Sequence, residues 1–331
     1  MNELKPKGGR LQWGIMGAGG ISKKFALDAR EHGIRIAAVA SRDLAKAESF
    51  ALEMGIPKAY GNYESILQDK NVNVIYIALP NHLHAEWSIK AAQSGKHILC
   101  EKPATMDSVE LESVLHAVER AGVFFMEAFM YRLHPQWGLV QALIAEDRIG
   151  PIRSLHSSFC FDMGFKPSNI RQVKAMGGGA LLDIGCYCLS FSRSIMGCEP
   201  VSVEATATLS ADSGVDDVTD ADLIFPGEVH ATFKCAIRYA EPNCAIITGT
   251  KGRIEVPAPW HPPKNAAEVR LHLEEGEIEI YRAGDGIGPF AREALEVVEH
   301  VGNRQSPTLT WQDSLHQVQA LEKLRQSAGL I

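Results

Sequence analysis

A doubly wound parallel sheet of α/β type, followed by an α+β unit with a large, mostly antiparallel sheet, is the fold class this sequence predicts. Three observations predict it. Apolar runs of strand length alternate with helix-length stretches through residues 11–126. A glycine-rich turn, Gly17-Ala18-Gly19-Gly20, joins the first of those strands to the first helix. From residue 151 the texture changes to period two, with strand following strand and turns such as Pro226-Gly227 between them.

The elements follow in order. Residues 11–17 read as a short buried strand, and Gly17, Gly19 and Ser22 occupy the positions of a G-x-G-x-x-G fingerprint whose third glycine is replaced. Glycines let the backbone turn tightly and approach a pyrophosphate, and helix 22–32 then points free N–H groups at it. Strand 34–40 ends in Ser41-Arg42-Asp43. An acid at that tip suits the ribose 2′-hydroxyl of NAD, whereas a guanidinium suits the 2′-phosphate of NADP. With Ser41 and Arg42 at the tip and the acid only afterwards, NADP is the expected cofactor, NAD the alternative.

Helix 43–54, a turn at 60–63, strand 72–79, helix 85–94, strand 97–100, helix 107–120 and strand 123–126 repeat the pattern. The strand tips carry Gly17, Ser41, then Leu79, Pro80, Asn81 and His84, then Glu101 and Lys102, then Glu127. In an open parallel sheet these tips line one edge, where ligands bind. The run 98–103, ILCEKP, holds attention: a buried strand ends abruptly in an acid and a lysine, and Pro103 pins Lys102 in extended geometry. His82 and His84 have no acid or cysteine spaced to complete a metal site.

In the second half, strands are expected at 152–161, 201–210, 220–225, 228–237, 244–249, 252–256, 269–273 and 277–281. Helices cover one face of such a sheet, and the other is free to bury itself against a second copy of the chain, which predicts a homodimer or higher homo-oligomer. One helix interrupts the strands, opened by Gly177-Gly178-Gly179 and closed by Gly197. Near its start Asp183 and Tyr187 stand four apart, on one face of an α-helix. An acid in so apolar a stretch either pairs with an arginine, such as Arg132, or works on a substrate. Helices at 290–301 and 311–328 close the chain.

At 331 residues the chain predicts two domains, set at 8–132 and 133–331 with the last helix packing back on the first. An apolar content of 46% and a charged content of 22% are those of an ordinary soluble protein, and no apolar run nears the ~18 residues of a membrane span. The net charge of -7, with signs interspersed, argues against nucleic acid as a partner. Residues 1–16 lack the apolar core of a secretory signal. Seven cysteines, irregularly spaced and without C-x-x-C, exclude a disulfide framework and a zinc site and point to the reducing cytoplasm.

These motifs together resemble the glucose–fructose oxidoreductase/inositol dehydrogenase/rhizopine-catabolism (Gfo/Idh/MocA) family. The resemblance rests on GIMGAGGIS at 14–22, LPNHLH at 79–84, CEKP at 100–103, MEAFMYRLHP at 126–135 and GGGALLDIGCY at 177–187, and spans nearly the whole chain. Within the family the sequence is most similar to dimeric dihydrodiol dehydrogenases and NADP-dependent D-xylose dehydrogenases. The resemblance implies a Rossmann domain, a dinucleotide held by Gly17, Ala18, Gly19, Gly20, Ile21, Ser41, Arg42, Leu79, Pro80, Asn81, His84, Glu101 and Lys102, and Lys102 and Tyr187 facing the nicotinamide. The inositol branch carries D-x-G-x-H-x-x-D; here Tyr187 and Ser190 replace the histidine and second acid, which argues against inositol as substrate.

The expected reaction is hydride transfer between NADP and a sugar such as D-xylose or a cyclic vicinal diol. A free phenol, with pKa of roughly 10, is about three units too weak an acid to serve as a base at neutral pH, and a cation within ~4–6 Å supplies about that shift. Tyr187 is therefore assigned as general acid/base and Lys102 as its cation and substrate donor, with Asp183 holding Lys102 or a sugar hydroxyl. Lys102 as the direct base is the competing assignment. The alternatives for the whole chain are an NADPH-dependent sugar-ketone reductase of the 1,5-anhydrofructose reductase type and a non-catalytic dinucleotide sensor. A sensor is expected to lose the lysine or the acid/tyrosine helix, and both are intact.

Overall fold

β1 (Gln12–Met16) is the middle of the first sheet in the computed structural model, which describes residues 11–274, 276 and 278–331. The expectations for the first ten residues, including a domain start at residue 8, lie outside the described residues, as does Glu277 at the head of the last expected strand. After β1 come α1 (Gly20–Glu31), β2 (Arg35–Ala40), α2 (Leu44–Met54), β3 (Ala59–Tyr60), α3 (Tyr63–Gln68) and β4 (Val74–Ile77). Then follow α4 (His84–Gln93), β5 (His97–Glu101), α5 (Ser108–Ala121) and β6 (Phe125–Ala128). The six strands pair in parallel in the order β3-β2-β1-β4-β5-β6, so the order reverses between β1 and β4. A crevice at that reversal is where this topology binds ligands.

Local chemistry explains the boundaries. Asp43, Asn62 and Asp107 cap α2, α3 and α5 by accepting backbone N–H groups, and Gly55 and Gly122 end α2 and α5 in the left-handed conformation. β4 is buried on both faces, as a central parallel strand must be. Phe25 of α1 stacks on Tyr76 of β4 with ring centroids 4.1 Å apart, which seats α1 on the sheet. Tyr60, expected at the head of a turn, instead pairs with β2 together with Ala59 in a two-residue edge strand.

The chain divides into two compact units: residues up to 130 with 287–314, and residues 131–286 with 315–331. The return of 287–314 to the first unit has visible causes. α8 (Pro289–His300) meets α1, where the backbone N–H of Phe290 donates to Asp28 at 3.4 Å. Beyond it, the Arg304 carbonyl accepts from Phe125 of β6 at 3.0 Å, and the Trp311 indole donates to the Phe125 carbonyl at 3.1 Å. The exposed edge of β6 is thereby covered.

The second unit begins with α6 (Pro135–Ala145) and continues through β7 (Ile152–Cys160), a π-helical turn at Leu181–Gly185, α7 (Cys186–Met196), β8 (Ser202–Leu209), β9 (Asp216–Phe225) and β10 (Val229–Ala236). β11 (Cys244–Gly249), β12 (Gly252–Val256), β13 (Ala267–Leu273) and β14 (Glu279–Ala283) complete an eight-stranded sheet in the order β14-β13-β12-β11-β7-β10-β9-β8. Six of its neighbouring pairs are antiparallel and one, β7 with β10, is parallel. Leu155 and Phe159 of β7 and Phe233 and Cys235 of β10 are buried on the face that α7 covers. The opposite face carries Glu204, Asp220, Asp222, His156 and Lys234 around a polar cleft. The last helix, α9 (Trp311–Ser327), spans the division; in its second-unit portion Ser327 accepts from the Ala205 backbone at 2.9 Å.

Two expectations need correction. The helix after the glycine run is not α-helical from its start, because the Leu181–Gly185 turn is π-helical and widens the spacing before Tyr187. β9 begins at Asp216, four residues before the expected 220, because Asp216 and Thr219 are buried against the helix start rather than exposed in a loop.

Candidate active site

In the first unit the glycine turn is built by necessity. Gly17 has φ +104°, and a Cβ there would lie 2.4 Å from the Ala78 carbonyl oxygen at the end of β4. Only glycine allows β1 to leave the sheet this close to its neighbour. Gly19 differs: it is the N-cap of α1 with an extended backbone and no side-chain cap, and Cβ atoms at Gly19 and Gly20 would meet nothing within 4 Å. Uncapped helical N–H groups beside open space at the sheet's topological switch fit the pyrophosphate of a dinucleotide. Ser22, at the third fingerprint position, is fully buried and fills the close approach of helix to strand.

At the tip of β2, Ser41 is buried and its hydroxyl accepts from the Asp43 backbone at 3.4 Å. Asp43 spends its carboxylate on the Lys46 backbone as the cap of α2. Arg42 is exposed and faces the Tyr63 phenol, whose pKa burial raises and the guanidinium pulls back down. The acid that would favour a ribose hydroxyl is thus occupied, and the guanidinium is at the surface.

Leu79 is buried, and Pro80 and Asn81 form the partly exposed entry to a short 3-10 turn. His84 has a different place from the one expected of a cofactor contact. Its ring is fully buried, with Nδ1 2.8 Å from the Pro103 carbonyl and Nε2 2.8 Å from that of Leu79. Burial holds its pKa down despite those carbonyls, and the Lys102 charge adds to the lowering. His84 therefore ties the tip of β4 to the loop after β5 from inside.

Lys102 is half-buried at the end of β5 and joined to Pro103 by a cis peptide bond. Glu101 accepts the Tyr76 hydroxyl at 2.5 Å, and Glu127 of β6 accepts the Ala104 backbone N–H at 2.9 Å. Glu293 of α8 is buried nearby, and its pKa is pushed up by burial, then by the charges of Glu101 and Asp28. The lysine segment is thus tied to β4 through Glu101 and to β6 through Glu127, and Glu293, brought back from far along the chain, sets a further buried carboxyl group beside Glu101.

In the second unit, Asp183 lies in the π-helical turn and Tyr187 in the first turn of α7. Arg171 donates through Nε to Asp183 at 2.5 Å, which gives the acid an arginine partner from a segment the sequence did not single out. The carbonyl of Arg171 accepts from Gly179 at 2.8 Å, and a Cβ on Gly178 would lie 2.6 Å from that same oxygen. The glycine run is thus the seat on which the 170–172 segment docks. The Tyr187 ring is walled by Phe159, Tyr131 and Trp260, at centroid distances of 5.4, 5.8 and 6.1 Å. Ser190 accepts the Tyr131 hydroxyl at 3.0 Å inside the core. An acid, an arginine and a phenol beside aromatic faces suit a ligand with hydroxyl groups on an apolar ring.

A parallel sheet with a glycine turn at its switch point, and a second, mostly antiparallel sheet backed by a helical segment that carries an acid and a phenol, define a two-part dinucleotide-dependent enzyme. Residues 11–129 match the model of the oxidoreductase family with an NAD-binding Rossmann fold (GFO_IDH_MocA), and residues 137–255 match the GFO/IDH/MocA C-terminal domain. The chain belongs to the Gfo/Idh/MocA oxidoreductase family.

It is 34% identical over 321 residues to D-xylose 1-dehydrogenase (NADP(+)) 2 of Haloferax volcanii, covering 96% of this chain and 97% of that protein. It is 32% identical to mouse trans-1,2-dihydrobenzene-1,2-diol dehydrogenase, with 97% of each chain covered. Among solved structures, the 3-ketoreductase KijD10 of Actinomadura kijaniata in complex with NADP and TDP-benzene superposes with a TM-score of 0.89. That match has 28% identity and covers 96% of this chain and 97% of that one. KijD10 has also been solved as a tyrosine-to-phenylalanine and a lysine-to-alanine variant. No group of three or more His, Cys, Asp or Glu side chains among the described residues could hold a metal ion.

Proposed function

We propose that this protein oxidises a hydroxyl group of an aldose such as D-xylose, or of a cyclic vicinal diol, with NADP⁺ as cofactor. The observation that carries the reading is the segment holding Asp183 and Tyr187, with Arg171 on the acid and aromatic rings around the phenol. Gly17, Ala18, Gly19, Gly20 and Ile21 would hold the pyrophosphate, Ser41 and Arg42 the 2′-phosphate, and Leu79, Pro80, Asn81 and Glu101 the nicotinamide half. NADP supplies the hydride acceptor when bound. Tyr187 takes the hydroxyl proton, Lys102 donates to the same oxygen and lowers the basicity the phenolate would otherwise need, and Asp183 orients a neighbouring hydroxyl.

The xylose and dihydrodiol dehydrogenase relatives support this substrate class. The ketoreductase likeness favours a second reading with the same residues, NADPH-dependent reduction of a sugar ketone. Reduced-nicotinamide absorbance followed in both directions across aldoses, cyclic diols and sugar ketones separates the two. No turnover with any of them overturns both.

Cofactor choice is tested at Arg42. Charge-assisted bonds from a guanidinium to a phosphate are worth about 1.5–3 kcal/mol. Arg42→Ala is therefore expected to raise KM for NADP⁺ by roughly ten- to a hundredfold and leave that for NAD⁺ unchanged. Equal losses with both cofactors would refute the assignment of Arg42 to the 2′-phosphate.

Association of copies through the open face of the eight-stranded sheet is part of the same proposal, supported by the polar, uncovered side chains there. A cytoplasmic location is supported by the cysteines, all seven of which are free. Among the described residues no helix is long and apolar enough to cross a membrane.

A further inference from the structure

Asp216 was not singled out by any motif, yet it is 4% exposed at the start of β9, directly beneath the segment that carries Asp183 and Tyr187. Its Oδ2 accepts the Leu181 backbone N–H at 2.7 Å and the Thr219 hydroxyl at 2.8 Å. Its Oδ1 lies 1.9 Å from where a Cβ on Gly179 would be, and Gly179 has φ +112°. The third glycine of the run is therefore there to admit a carboxyl group. Leu181 opens the π-helical turn, and Asp183, two residues on, donates its backbone N–H to the Gly179 carbonyl at 3.1 Å. From the other end, Gln317 of α9, also buried, donates to the Cys186 carbonyl at 2.8 Å, one residue before Tyr187.

We propose that Asp216 is a positioning residue for the reaction, its carboxylate fixing the start of the π-helical turn so that Asp183 and Tyr187 keep their working orientation. The inference rests on the roles given to those two residues above. Asp216 touches neither of them in that capacity; it acts through the backbone of Leu181.

The position has a pH consequence. Arg325 of α9 is the cation that acts on Asp216, the Cys235 thiol of β10 is its titratable neighbour, and Asp217 beside it belongs to Arg238. Burial outweighs the hydrogen bonds and the arginine, and pushes the Asp216 pKa from 3.8 up to about 6. The folded protein then binds more protons than the unfolded chain between those two values, so stability falls as pH rises through that window. The grip on Leu181 and Thr219 changes the opposite way, because an ionised oxygen accepts more strongly than a neutral acid. Activity is gained where stability is lost.

The test compares wild type with Asp216→Asn, which keeps the shape and removes the titration. Two quantities are read against pH: the thermal midpoint, and kcat and KM on the best substrate of the panel. The wild-type midpoint is expected to fall relative to that of Asp216→Asn by roughly 5 °C between pH 4.5 and 7.5. Wild-type kcat is expected to rise through an acid limb near pH 6, and Asp216→Asn to flatten that limb and lower kcat about tenfold. KM for NADP⁺ should not move. Thr219→Val, which removes one donor to the ionised oxygen and leaves the carboxyl in place, should shift both transitions to higher pH.

A pH-independent difference in thermal midpoint, with the kcat limb shared by wild type and Asp216→Asn, overturns the proposal. Failure of every substrate in the panel would instead refute the functional reading, and the thermal titration then still decides whether Asp216 holds the turn through an ionisable group.

Discussion

Tyr187→Phe is expected to lower kcat by about 10²–10⁴-fold while leaving NADP⁺ affinity within about twofold, because in the proposed mechanism it removes the general acid/base. The substitution deletes one oxygen. The ring stays against Phe159, Tyr131 and Trp260, so the aromatic packing and the fold survive. Lys102→Ala should cost a similar factor in kcat, since on the same proposal it removes both a donor to the substrate oxygen and the cation that makes the phenol an adequate base. Two residues that serve one proton transfer are not additive, so the double variant should be scarcely slower than the worse single one. Steady-state kinetics by nicotinamide absorbance, with cofactor binding by fluorescence titration, measure all of this. A fully active Tyr187→Phe enzyme would hand the proton to Lys102 alone. Loss of NADP⁺ binding by Lys102→Ala would instead make the lysine a cofactor ligand.

The parts of the molecule that were legible in the sequence are those whose cause is local. A strand that must run between two others is apolar throughout, as residues 74–77 are, and the turn after it must change polarity abruptly. Gly17, Asp43 and Pro103 act on their own backbone, so their meaning can be read without knowing the fold. α6 gave no signal because it is apolar on most sides and lacks the stripe of a half-buried helix. Arg171, Asp216 and Gln317 gave none because each works on a segment remote in sequence, and no spacing rule connects residues 35 or 131 apart. His84 misled for the same reason: a histidine at a strand tip looks available, and only the carbonyl of Pro103, 19 residues on, takes it out of reach. The Gly177-Gly178-Gly179 run was legible as a helix opening, but not as the place where a strap and a buried carboxyl meet.

Gly17 and Gly19 stand two residues apart in one motif and should fail in opposite ways. Gly17→Ala places a Cβ 2.4 Å from the Ala78 carbonyl oxygen at φ +104°, and both colliding atoms are fixed to backbone. A residue held in such a backbone region costs about 1–3 kcal/mol before the collision is counted. The expected result is a thermal midpoint lower by several degrees and NADP⁺ affinity reduced more than about a hundredfold, because β1, β4 and the turn must all shift. Gly19→Ala meets nothing within 4 Å and keeps an extended backbone, so the fold should not register it. Its methyl group enters the space beside the uncapped start of α1, where a pyrophosphate must come close to backbone N–H groups. Dinucleotide affinity should therefore fall roughly ten- to a hundredfold at an unchanged thermal midpoint, since losing one or two charge-assisted hydrogen bonds costs that much. Differential scanning fluorimetry with and without NADP⁺ reads both numbers in one experiment. If Gly19→Ala binds NADP⁺ as wild type does, the pyrophosphate is held elsewhere, and the open space at the start of α1 is not its cradle.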